Sequence, residues 1–155
     1  MPTNNLPLAL ADPVEPVEGR DGAPALVALY DRSVDSVKGY AKMVEKAEPS
    51  FRPIAERFHA LHVRHTETLA RLLADLGVGA AADGSVMGLV NQAVVTFRAF
   101  FDDIDEDVMD QVRSGEDWVL KAFDDAIAEQ PGLVLVLREM RDELTDLLAE
   151  TRTLG

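Results

Sequence analysis

All three histidines of the chain lie in one stretch, "FHALHVRHTETLARLL" from Phe58 to Leu73, as His59, His62 and His65. Glu56 stands three residues before His59, so the same stretch contains "ERFH", a Glu-x-x-His. On the helices of a bundle, that spacing can contribute to a carboxylate-bridged metal centre. Orientation decides whether it does. On a helical wheel, Phe51, Ile54, Phe58, Leu61, Leu69, Leu72 and Leu76 form one apolar face. His65 falls in the middle of that face and His62 at its edge. His59 lies off the face and Glu56 points the other way, so "ERFH" cannot present both side chains to a bundle axis. His59 reads as a solvated surface residue.

A second polar residue interrupts an apolar stripe further along. Val108, Val112, Val119, Phe123 and Ala126 share a helical face, and Glu116 falls inside it. Gly115 beside it would permit close helix approach. A buried carboxylate is costly without a partner, and His65 is the expected one. Two readings stay open. The first is a buried hydrogen-bonded pair, His65 with Glu116, supported by Tyr30, Ser33 or Tyr40. The second is a mononuclear site in which His62, His65 and Glu116 hold one divalent ion, iron or zinc. A di-iron centre needs a Glu from each of two helices and a Glu-x-x-His from each of the other two. The inward positions of the first helix are Tyr30, Ser33, Val34, Val37, Tyr40 and Val44, and Asp35 faces out. Those of the last helix are Leu133, Leu137, Met140, Leu144 and Leu148. Glu139 and Asp142 face away, and Glu143 stands at the edge. No complete di-iron site is expected.

The elements that must position these side chains are helices, separated by clear punctuation. Residues 1–21, "MPTNNLPLALADPVEPVEGRD", carry four of the eight prolines and no usable period, which predicts a flexible arm ahead of a helical domain over 22–155. A first helix is expected over about 24–47, with Pro24 in its first turn. A second runs over about 51–76, with Ser50 as N-cap and Gly77 or Gly79 as its end. A short, very apolar helix over about 86–101 follows, spanning about 24 Å at 1.5 Å per residue. Further helices run over about 106–129 and 131–153, with Pro131 as the break between them. The very short turns make the first two helices one antiparallel hairpin and the last two another. If the apolar helix over 86–101 is a crossover, the second and third long helices run parallel.

At this point the residues resemble a known family. "HVRHTETL", "VDSVKGY", "GSVMGLVNQA" and "SGEDWVLKAFDDAI" are similar to segments of an uncharacterised bacterial family of ferritin-like four-helix-bundle proteins, a domain of unknown function. The resemblance covers about residues 25–153. It implies an all-α ferritin-like four-helix bundle with a short crossover helix, ahead of which the composition places the flexible N-terminal arm. It implies no established activity. The phosphorelay bundles fit less well, because His62 and Val63 stand where a Lys and a Gly usually follow their histidine.

Composition narrows the function classes. The chain has 155 residues, 47% of them hydrophobic and 28% charged, which suits one domain with one core. The formal net charge of −13 argues against nucleic acid and anionic membrane as partners, and leaves a basic protein partner open. With no cysteine there is neither a disulfide framework nor thiol chemistry. The apolar run "LPLALA" has no preceding positive charge and makes a poor export signal, so a cytoplasmic location is expected. The run "LVLVL" at 133–137 is apolar all round, and its outer side needs cover from the apolar helix, the arm or another subunit. The expectation is a non-catalytic bundle that self-associates, a dimer first. The competing expectations are a metal-handling protein using one His/Glu site, and an interaction protein with an acidic docking face.

Overall fold

The computed structural model describes residues 22–78 and 108–152 of the chain. The expected arm over 1–21 and crossover helix over 86–101 lie outside the described residues. Four long helices are described: α1 (Pro24–Lys46), α2 (Arg52–Asp75), α3 (Met109–Glu129) and α4 (Val134–Glu150). A single 3-10 turn, Pro131–Leu133, joins α3 to α4. No strand occurs among the described residues.

Helix directions follow from which ends meet. Glu129 at the end of α3 reaches the first turn of α1, and Arg57 early in α2 bonds Glu150 at the end of α4 at 2.6 Å. Arg113 early in α3 donates to the carbonyl of Thr151, just past α4, at 2.9 Å. With the short α1–α2 turn, every laterally packed pair of the described helices is antiparallel, and α2 and α3 run parallel. Helices α1 and α4 lie across the bundle from each other. The core is the apolar stripe of each helix turned to the common axis, including Leu29, Phe58, Phe123 and Leu144, all fully buried.

The helix ends show how the sequence is stitched into this arrangement. Gly77 closes α2 at φ 72°, where a side chain would clash. Val78 N–H bonds Leu73 O at 2.8 Å and Gly77 N–H bonds Ala74 O at 2.9 Å, a Schellman motif. Val78 and Leu73 are both buried, which supplies its usual apolar contact. The start of α2 departs from expectation. Ser50 is not its cap: Phe51 holds that position in a helical conformation, and no side chain bonds the first turn. The N–H groups of Phe51 and Arg52 bond Glu48 O instead, both at 2.9 Å. The Arg52 side chain turns back to the last carbonyls of α1, at 3.2 Å to Val44 O and 2.8 Å to Ala47 O.

Helix α1 has no side-chain cap of its own, since Ala23 precedes Pro24. Glu129 supplies one from the far end of α3. Its Oε1 accepts from Ala25 N–H at 2.7 Å and its Oε2 from Leu26 N–H at 3.1 Å. The carboxylate thus satisfies two orphan donors and sits at the positive end of the helix dipole. Replacing Glu129 with Ala is expected to cost about 1–2 kcal/mol, on the scale of a lost N-cap. Glu129→Gln, which keeps one acceptor, should cost less, and urea denaturation of the two variants checks this order.

Candidate functional site

The inward-facing polar side chains meet near the middle of the bundle, and their pairing differs from the sequence expectation. Glu116 is 1% exposed, as its place in the α3 stripe requires. Its Oε2 accepts from the Tyr40 hydroxyl of α1 at 2.6 Å and lies 2.7 Å from His62 Nε2 of α2. His65 does not reach Glu116. Its Nε2 lies 2.8 Å from Oε1 of Glu143 on α4. The expected His65–Glu116 pair is therefore replaced by His62–Glu116 and His65–Glu143. The cause is axial register: His62 and His65 are about 4.5 Å apart along the helix, enough to exchange partners.

The rings are as ordered as the hydrogen bonds. Tyr40 stacks between Phe58 and His62, with ring centroids at 5.2 and 5.6 Å and both interplanar angles 10°. His65 stands edge-on to His62 at 6.3 Å and to Phe123 at 5.9 Å. These contacts hold the ring planes so that each Nε2 faces a carboxylate. Of the expected supporting residues, Tyr40 bonds Glu116 directly, whereas Tyr30 and Ser33 are buried but do not join these bonds. Ser33 Oγ has no partner among the described residues.

Glu143 was the residue the sequence put at an edge. Its side chain is half exposed, and Arg64 stands 3.7 Å from its second oxygen. It belongs to the cluster because its long side chain reaches inward from the flank, which a wheel of Cα positions does not register. The signal available was the absence of any other acid near the inward face of the last helix. Asp35, expected to face out, is half buried on α1, and burial raises its carboxyl above the usual range. His59 is partly exposed and Glu56 exposed, as the wheel requires.

Three of these atoms are buried with no partner among the described residues: His62 Nδ1, His65 Nδ1 and Glu116 Oε1. With Nε2–H given to a carboxylate, each imidazole keeps an unused Nδ1 lone pair. Of the expected metal ligands, His62 and Glu116 are bonded to each other, whereas His65 is turned to Glu143. Among the described residues no three His, Asp or Glu side chains stand at metal-binding spacing. The arrangement instead can hold a proton on a chain of polar atoms. Burial pushes the Tyr40 hydroxyl well above its ordinary value of 10.0, and the adjacent Glu116 charge and their hydrogen bond push it further, so it remains a donor.

His65 carries a pH signature. Burial lowers its affinity for a proton below the ordinary 6.5, opposed by the hydrogen bond to Glu143, while His62 and Arg64 lower it further. The unfolded chain therefore takes up a proton at a pH where the folded chain does not. Since the unfolded state then binds more protons, stability rises with pH across that window and falls as pH drops through about 6.5. The urea midpoint is expected to be lower at about pH 5.5 than at about pH 7.5, and His65→Gln should flatten the difference.

Comparison with known proteins gives one result. The chain matches no curated protein and no solved structure. A family model described as a domain of unknown function (DUF2383) matches residues 23–129, more than half of the chain. The matched region contains α1, α2 and α3, and with them Tyr40, His62, His65 and Glu116, whereas Glu143 lies beyond it. This chain belongs to the domain-of-unknown-function family DUF2383.

Proposed function

We propose that the chain is a ferritin-like four-helix bundle with a non-catalytic role, acting through its surface and through self-association, with the polar cluster as an internal lock. The observation that carries this reading is how the chemically capable groups are spent. Tyr40 and His62 close on one oxygen of Glu116, and His65 closes on Glu143, with the first three groups shut away from solvent. Large apolar side chains meanwhile face outward. Leu135 on α4 is 82% exposed and Trp118 on α3 is 57% exposed. An apolar residue so exposed beside the half-buried Val134 and Val136 favours a protein–protein contact. No described helix is long and apolar enough to cross a membrane, so this apolar surface does not belong to a membrane span. Sedimentation velocity is expected to give a dimer, and Leu135→Lys a shift toward monomer with unchanged helix content. A monomeric native chain would overturn self-association.

A second reading, one divalent iron or zinc ion at the histidines, has one specific observation in its favour. Metal-bound imidazoles commonly give their other ring N–H to a carboxylate, and His62 and His65 each face a carboxylate with Nε2 while Nδ1 stays unpartnered. A di-iron centre does not fit, because α1 contributes Tyr40 where a bridging carboxylate would be needed and Glu143 alone approaches from α4. Titration with Zn(II) or anaerobic Fe(II) is expected to give about one ion per chain at most, with no iron oxidation faster than the buffer blank. Two irons per chain with rapid oxidation would overturn the non-catalytic reading.

A further inference from the structure

A cleft of about 450 Å³ opens between α1 and α3, beside the polar cluster. Its walls are largely apolar, including Met43, Val112 and Val119. Glu116 lines its inner part, and Asp35 stands in its α1 wall. The Glu116 carboxylate is the informative group. Both of its hydrogen bonds fall on Oε2, and Oε1 is buried with no partner among the described residues. A buried acceptor left bare is destabilising, more so when it is charged, unless something bonds it. Gly115 is a second, independent observation. It lies within α3, where glycine is unfavourable relative to alanine. Apart from its chain neighbours and its own helix backbone, no described atom lies within 4 Å of where its Cβ would be, so close packing of the described helices does not explain it. Gly115 lines the cleft, and its missing side chain leaves the space beside Glu116 open.

We infer that this cleft binds a small organic cation, an ammonium or amidinium head on an apolar body, whose head donates to Glu116 Oε1 and whose body lies against Met43, Val112 and Val119. A neutral ligand would leave the carboxylate charge uncompensated, and an anion would be repelled by Glu116 and Asp35 together. Among the described residues of the cleft wall the one guanidinium is that of Arg32, held over the Trp118 ring at 5.3 Å. Asp110, also on the wall, faces Arg113 at 3.4 Å, so the deepest negative charge is that of Glu116. The net charge of −13 draws cations toward the surface before they enter.

The test uses the full chain and its single tryptophan, Trp118, which lines the cleft. n-Hexylamine, titrated at about pH 7.5 where it is protonated, is expected to change Trp118 emission to saturation. Hexan-1-ol, with the same body and no charge, should bind at least about tenfold more weakly. Hexanoate, and ammonium chloride as charge without a body, should give no saturable change. Gly115→Leu fills open space on a helix face and should fold, and it is expected to abolish the hexylamine response. Glu116→Gln should weaken hexylamine by about tenfold or more while leaving hexan-1-ol unchanged. The inference is overturned if hexylamine gives no saturable response, if hexan-1-ol binds as well, or if Gly115→Leu responds like the native chain.

Discussion

The carboxylate of Glu116 is the constraint around which the bundle is arranged. A charge taken out of water costs several kcal/mol unless its lone pairs are bonded, so the side chains that bond it cannot be placed freely. Tyr40 and His62 come from two different helices and converge on one oxygen within 2.7 Å. Three helices are therefore fixed at one level along the axis. Apolar stripes alone tolerate sliding, because one leucine contact resembles the next. A hydrogen bond at 2.6 Å does not. The stacking of Tyr40 on Phe58 and His62 then transmits that level to the surrounding core.

The ends of the helices repeat the same logic with surface charges. Antiparallel neighbours put the end of one helix beside the beginning of another, and the orphan backbone groups are met by charged side chains arriving from outside the helix. Glu129 bonds the first N–H groups of α1, Arg52 the last carbonyls of α1, and Arg113 the carbonyls past α4. Each pairing has the sign that the helix dipole favours. The bundle is thus tied at both ends and the middle, and the length between is left to apolar packing.

This division bears on function. The histidines, tyrosine and carboxylates that suggest catalysis or metal binding are the same groups that fix the register, and their hydrogen bonds are directed at one another. Among the described residues, Glu116 Oε1 has no partner, and neither has Nδ1 of His62 or of His65. One carboxylate accordingly faces two ways, with Oε2 bonded to the residues that hold the helices together and Oε1 left for whatever reaches the α1–α3 cleft. Arg32 over Trp118 and the half-buried Asp35 mark the outer part of the same cleft.

Periodicity and punctuation were enough to place the four described helices. Pro24, Gly77 and Pro131 sit where α1 begins, α2 ends and α4 is introduced, because each restricts the backbone by covalent geometry alone. The same periodicity placed His62, His65 and Glu116 inward, since burial follows the angle of a residue around its own helix. Partner choice followed a different coordinate. Which histidine meets Glu116 depends on how far α2 slides against α3, and no pattern within either helix encodes that distance. Glu143 entered the cluster because a long side chain can lean inward from a flank. The cap that Glu129 places on α1 joins residues 104 positions apart, through a contact that exists only once α1 and α3 are side by side. Angle around an axis is a local property of the chain, whereas register and reach between helices are set by the packed structure.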